Sequence, residues 1–174
     1  MARKRAKKIK PGLLLAFLIF ALIIIGAIYY CSICPRPKQP LIRLYLTKGD
    51  KLVVVERPLL PNEAPLTKAI EELMVGPTET EKAAGLSTRI PDGTRVIHLH
   101  TKDKVAIIDF NRKLENYGGG SARIEGIIAQ IVYTATEAPG VEKVWIRIEG
   151  NKEIVLGGEG LVLDKPLSRA DLNH

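Results

Sequence analysis

The apolar positions of the chain fall into two regimes. From Leu13 to Tyr30 they form an unbroken run, LLLAFLIFALIIIGAIYY, without a single charge. Beyond Leu41 they either alternate or recur at helical spacing. The first regime predicts a membrane helix, because roughly 18 residues rising 1.5 Å each span about 27 Å, near the thickness of a bilayer's hydrocarbon core, with every backbone group paired inside the helix.

The second regime predicts a domain of strands and helices. Leu41 to Thr47 and Lys51 to Arg57 flank the turn Lys48-Gly49-Asp50, a hairpin signal. Leu66, Ala69, Ile70, Leu73 and Met74 form a helical stripe, with Pro65 in the first turn and Gly76-Pro77 at the end. Thr78 and Glu81 make a capping box for a second, short helix that Gly85 stops. Thr94 to Thr101 and Lys104 to Phe110 alternate around a turn at Lys102-Asp103, with Ile97 and Leu99 matching Ala106, Ile108 and Phe110 on one face. After Gly118-Gly119-Gly120, a third helix carries Ile124, Ile127, Ile128, Ile131, Val132 and Ala135 on one face, with Arg123, Gln130, Thr134 and Glu137 elsewhere, and ends at Pro139-Gly140. Val144, Ile146 and Ile148 give a last strand that turns at Gly150-Asn151, and Ile154 to Leu163 adds a short extended piece. The order β-β-α-α-β-β-α-β, with a single apolar stripe on the first and third helices, predicts an α+β two-layer sandwich: a mixed sheet with helices on one face, preceded by one N-terminal transmembrane helix.

Charge fixes the orientation of that helix. Arg3, Lys4, Arg5, Lys7, Lys8 and Lys10 precede it with no acid among them, and only Arg36 and Lys38 follow before the next apolar segment. The positive-inside rule then keeps the N-terminus cytoplasmic and sends the rest outside. The expected organisation is a basic tail (1–11), a transmembrane anchor in the lipid bilayer (12–34), a Pro-rich spacer (35–40), an extracytoplasmic domain (41–160) and a C-terminal segment (161–174). The net charge of +7 is concentrated in the tail and spacer: without the eight basic residues up to Lys38, 18 Lys and Arg face 19 Asp and Glu. Nucleic acid is therefore not an expected partner. A cleaved signal peptide is the rival reading of the apolar run, with an unusually long core and a poor cleavage match at Ile25-Gly26-Ala27. Cys31 and Cys34 have CxxC spacing at the membrane exit, where interfacial thiols or a disulfide are expected rather than redox or metal chemistry. Tyr29 and Tyr30 stand where a lipidated cysteine wants a small neighbour.

The run GPTETEKAAGLSTRIPDGTRV (Gly76 to Val96), then VAIIDFNRKLEN, then GGGSARIEGIIAQIVYTATEAPGVEKVWIRIEG, and LGGEGLVLDKPLSR near the C-terminus together resemble the GerMN domain of bacterial sporulation and spore-germination proteins. The likeness covers essentially Leu41 to Arg169. It implies an extracytoplasmic, membrane-tethered module of endospore-forming Gram-positive bacteria, with a fold similar to ring-building modules of sporulation complexes. Some members of that family are lipoproteins with two such domains, whereas this sequence carries one.

Candidate chemistry is sparse. His98-x-His100 puts two rings on one strand face, a metal half-site with no Cys and no clear acid partner beside it. Ser87 or Ser121 could be combined with a histidine and Asp109, but no local signature selects them. Asp109 and Asn111 read as turn and cap residues. No enzymatic activity, cofactor or metal is expected. Gly118, Gly119, Gly120 and Ser121 form a candidate ligand loop ahead of a helix, without a P-loop lysine; the plainer role is freedom for the chain to enter a helix that Ser121 caps.

Alternation supplies one further surface. If Val144, Ile146 and Ile148 face the helices, then Trp145 and Arg147 face away, as do His98 and His100. That grouping is either an interaction surface, since Trp and Arg are enriched at binding hot spots, or a site covered by the N-terminal hairpin or by Leu161 or Leu163. The expected function is a membrane-tethered protein-interaction module assembling with other envelope or sporulation proteins, and the alternative is peptidoglycan binding or cell-wall modification near Ser121.

Overall fold

The computed structural model describes residues 11–33, 39–152, 154–156 and 161–172, with side chains described at 17–30 in the first stretch and throughout the others except at Leu161. The basic tail, Cys34, Pro35, Pro37 and His174 lie outside the described residues, as does the side chain of Cys31. The chain divides into two units, Met1–Lys38 and Gln39–His174.

In the first unit, α1 runs from Pro11 to Ile33. Its described side chains, Phe17 to Tyr30, are all exposed. Among the described residues, no helix is both long and apolar enough to cross a membrane.

The second unit begins with a hairpin, β1 (Leu41–Lys48) and β2 (Lys51–Pro58), closed by Gly49-Asp50 with Gly49 at φ +61°. A two-residue loop fixes the register, and Leu44 and Leu46 are fully buried. Next come α2 (Pro65–Val75), whose stripe Leu66, Ala69, Ile70 and Leu73 is buried, and the short α3 (Glu79–Ala83). Thr78 and Glu81 form the expected capping box, with Thr78 N–H donating to Glu81 at 2.7 Å. Arg57 ties the two helices to β2: it pairs with Glu72, and its other amino group donates to Glu81 at 2.8 Å and to the Gly76 carbonyl at 2.9 Å.

A mixed sheet follows, built of β3 (Val96–Lys102), β4 (Val105–Phe110) and β5 (Lys143–Ile148). β3 and β4 are antiparallel, while β4 and β5 are parallel and need a crossover, which α4 (Ser121–Ala135) supplies. Ala106, Ile108, Phe110, Val144, Ile146 and Ile148 form its buried face and share one core with Leu44, Leu46, Ile70 and the isoleucines of α4. The C-terminal residues close the unit. Strands β6 (Ile154–Leu156) and β7 (Leu161–Leu163) pair with each other, Leu163 enters the core, and Leu167 exchanges two 2.8 Å backbone bonds with Val144.

Several details depart from the sequence expectations. Among the described residues, the strands form three separate ladders instead of one mixed sheet. For the first hairpin the reason lies at the outer edge of β1, where the backbone groups of Tyr45 and Thr47 are already taken. Tyr45 N–H donates to Thr134 Oγ1 (3.0 Å), Gln130 Nε2 donates to the Tyr45 carbonyl (2.9 Å), and Thr47 exchanges two 2.8 Å backbone bonds with Ser87. Gln130 and Thr134 are consequently buried, not on a solvent face. A register shift between Val96 and His98 leaves Ile97 exposed and gives its place opposite Phe110 to Val96. The turn between β3 and β4 is Asp103-Lys104, both at positive φ, one residue later than expected. Ser121 does not cap α4: Gly120 is the cap residue and no side chain bonds there. The helix stops at Ala135, before Pro139-Gly140.

Candidate functional site: the open face of the mixed sheet

The pairing of β3, β4 and β5 arranges the face opposite the core into three rows. The register joins Lys102 to Val105 and Lys143, then His100 to Ile107 and Trp145, then His98 to Asp109 and Arg147. Directly paired residues share a face and alternate residues return to it, so these side chains stand together. Trp145, Arg147, His98 and His100 therefore occupy one surface, as alternation predicted. The same alternation would have found Lys102, Ile107 and Lys143, which the sequence reading passed over.

Among the described residues, no helix or loop fully buries this face, and the side chain of Leu161 lies outside them. His98 and His100 are exposed, and Ile107, Trp145 and Arg147 are half-buried. Leu163 goes into the core rather than over Trp145. The Arg147 guanidinium lies 4.6 Å from the centre of the Trp145 ring, a cation–π stack. Arg147 Nε is buried and has no hydrogen-bond partner among the described residues. Trp145 Nε1 reaches the Lys152 carbonyl at 3.5 Å, a long contact. Between these side chains is an open cavity of about 370 Å³ lined by His98, His100, Ile107, Asp109 and Arg147.

Asp109 is 8 % exposed, and its Oδ1 accepts from the Gly150 amide at 3.0 Å. Asn111 likewise serves the backbone, accepting from Arg95 N–H and donating to the Gly93 carbonyl, both at 3.0 Å. Ser87 is engaged with Thr47, with their hydroxyls 3.0 Å apart, and does not approach a histidine. Ser121 opens α4 and does not line the cavity at His98. Among the described residues, no group of three or more His, Cys, Asp or Glu could hold a metal ion. The loop Gly118 to Gly120 is exposed, with Gly118 and Gly119 at positive φ, and it joins none of the cavities described here.

A larger cavity, about 460 Å³, lies where β1 begins, between Ile42, Leu59, Ala69 and Pro139. Sequence patterning gave no sign of it. Its charged rim is paired internally, with Arg43 3.0 Å from Glu56 and 3.8 Å from Glu137.

Comparison with known proteins then places the chain. Residues 43–154 match the family model described as Germane, sporulation and spore germination. The spore germination protein GerM of Bacillus subtilis (strain 168) is 32% identical over 132 residues, which is 74% of this chain and 35% of that protein. The chain thus spans about a third of that relative's length. The structure of the first GerMN domain of the sporulation protein GerM from Bacillus subtilis superposes with a TM-score of 0.63 at 25% identity, covering 76% of this chain and 99% of that domain. The tandem GerMN domains of the same protein give a TM-score of 0.62 at 26% identity, covering 77% of this chain and 48% of the tandem chain.

Proposed function

The chain belongs to the Germane family of sporulation and spore germination proteins, and from that membership we propose that it is a membrane-tethered, extracytoplasmic protein-interaction module without catalytic activity, assembling with other envelope proteins. The tether is the apolar run Leu13 to Tyr30, and the six basic residues ahead of it hold the N-terminus in the cytoplasm. The domain after Pro40 then faces outward. Its polar groups support a non-catalytic reading, because the Ser87 hydroxyl is paired with that of Thr47 and Asp109 and Asn111 are occupied with holding backbone.

The observation that carries the interaction role is the Trp145–Arg147 stack on a sheet face that the described residues leave partly exposed. Desolvating an aromatic ring and a guanidinium together is how interface hot spots gain most of their energy. The test is crosslinking and affinity recovery of the full-length protein from vegetative and sporulating cells, comparing the native chain with Trp145→Ala. Recovery of envelope proteins that Trp145→Ala loses, with the circular dichroism of both chains alike, supports the proposal. Unchanged recovery removes this surface from consideration, and retention on purified peptidoglycan with no protein partner replaces the proposal with a cell-wall role.

A further inference from the structure

The three rows of the open face differ in chemistry. Lys102 and Lys143 stand at one end and Arg147, in a row with His98, at the other, with His100, Ile107 and Trp145 between them. Asp109 is the one acid in the rows; it is nearly buried and its Oδ1 is bound to the Gly150 amide. Of the neighbouring acids, Asp103 is exposed in the turn after Lys102, and three others are engaged. Glu142 pairs with Lys104 at 2.6 Å, Glu149 with Arg112 at 3.0 Å, and Asp171, close enough to Lys143 to feel its charge, accepts from the Ser168 hydroxyl and amide at 2.6 and 2.8 Å. Lys102, Lys143 and Arg147 form no ion pair among the described residues. The face is thus cationic on a domain whose residues after Lys38 carry 18 basic and 19 acidic groups.

Spacing narrows the partner. Alternate residues on a strand lie about 6.7 Å apart, so the Lys102–Lys143 row and the Arg147 row are separated by about 13 Å. An extended segment laid along the strands presents its own same-side residues at i, i+2 and i+4 with the same separation. On this basis, and resting on the docking role proposed above, we infer that the open face binds an acidic extended protein segment with an apolar residue at i+2 between carboxylates at i and i+4. The carboxylates meet Lys102 and Lys143 at one end and Arg147 at the other, where the guanidinium is already oriented by its stack on Trp145. The apolar residue covers Ile107 and the Trp145 ring. An anionic polymer or lipid headgroup layer would satisfy the cations and leave Ile107 and the Trp145 ring wet, which is why a protein segment is the better occupant.

Trp145 is the one tryptophan of the chain and reports binding directly. The full-length protein in neutral detergent is titrated with the capped peptide Thr-Glu-Thr-Leu-Thr-Glu-Thr, with its Gln-for-Glu counterpart, and with phosphatidylglycerol vesicles. The expected result is a saturable change in Trp145 emission with the Glu peptide and binding at least about tenfold weaker with the Gln peptide. The double variant Lys102→Glu with Lys143→Glu, on the exposed ends of β3 and β5, is expected to bind the Glu peptide at least about tenfold more weakly and to regain binding with a Lys-for-Glu peptide. No saturable change, equal binding of the two peptides, or a response to vesicles without one to peptide overturns the inference. Partner recovery from cells separates the two proposals. If Trp145→Ala loses partners and the charge-reversed chain keeps them, docking stands and the acidic segment falls; if both chains keep them, docking falls too.

Discussion

Arg89 lies across Gly126, so that a Cβ on this glycine would come within 3.0 Å of Arg89 Nε and Nη1 and closer still to Cδ. The arginine is held there by the Ala122 carbonyl at 2.8 Å and by Asp50 at 2.7 Å, which binds α4 to the tip of the first hairpin. An alanine in mid-helix normally gains about 1 kcal/mol over glycine. Here the gain is opposed by displacement of Arg89 and loss of its bond to α4, worth on the order of 1–3 kcal/mol. Gly126→Ala is therefore expected to lower stability by about 1 kcal/mol in the native chain and to raise it by about 1 kcal/mol in the Arg89→Ala background. Urea unfolding of the four proteins checks this, and additive effects would mean that Arg89 moves aside freely.

Gln130 closes the second polar junction of α4. Its Oε1 accepts from Arg89 N–H at 2.8 Å while its Nε2 donates to the Tyr45 carbonyl at 2.9 Å, and the glutamine itself is fully buried. Gln130→Leu keeps the volume and strands both backbone groups, so a loss of about 2–4 kcal/mol is expected. Thr134→Val strands only Tyr45 N–H and is expected to lose about half as much. Equilibrium unfolding measures both. Amide exchange should also show Tyr45 N–H opening faster in Thr134→Val than in the native chain.

These junctions mark where sequence reading stops. The hairpins, the Thr78–Glu81 capping box and the α2 stripe were legible because each is written in neighbouring residues. The grouping of Trp145, Arg147, His98 and His100 was legible because strand alternation has a fixed period. Periodicity sends a helical glutamine or threonine to solvent, and only the unpaired edge of β1 calls Gln130 and Thr134 inward. The shift that exposes Ile97 has no local signal, since Val96 and Ile97 are equally good strand residues. Gly126 likewise reads as a weak point in a helix until Arg89 is placed over it.

Carboxylates predict how the fold responds to acid. Burial pushes the Glu72 carboxyl up from its ordinary 4.5, yet the hydrogen bonds from Arg57 and Lys68 outweigh it and hold the group lower. Glu81 is lowered against the same opposing burial by Thr78 and Arg57, and Glu137 by Arg169 and Tyr45. A group whose folded pKa lies below its unfolded value stabilises the fold above the unfolded value and loses that contribution as pH falls through the folded one. Stability is thus expected to be retained down to about pH 5 and to fall progressively below it. Glu72→Gln and Glu137→Gln should each flatten the acid limb of a plot of urea midpoint against pH. Arg57→Met, which leaves Glu81 half-buried without its cation and Glu72 with Lys68 alone, is expected to lose about 3 kcal/mol near neutral pH and less in acid.

Arg147 separates what the open face does for stability from the binding proposed for it. Its stack on Trp145 at 4.6 Å contributes about 0.5–1 kcal/mol at a partly exposed site. Against that stands a buried Nε without a partner among the described residues, a penalty of about 1–3 kcal/mol. Arg147→Met keeps an apolar cover on the ring and removes the stranded donor, so stability is expected to be unchanged or higher by up to about 1 kcal/mol, while binding at the face falls. Arg147→Ala uncovers the ring, and acrylamide should then quench Trp145 more efficiently than in the native chain. If Arg147→Met instead lowers stability by more than about 2 kcal/mol, the guanidinium belongs to the architecture of the sheet and not to its recognition surface.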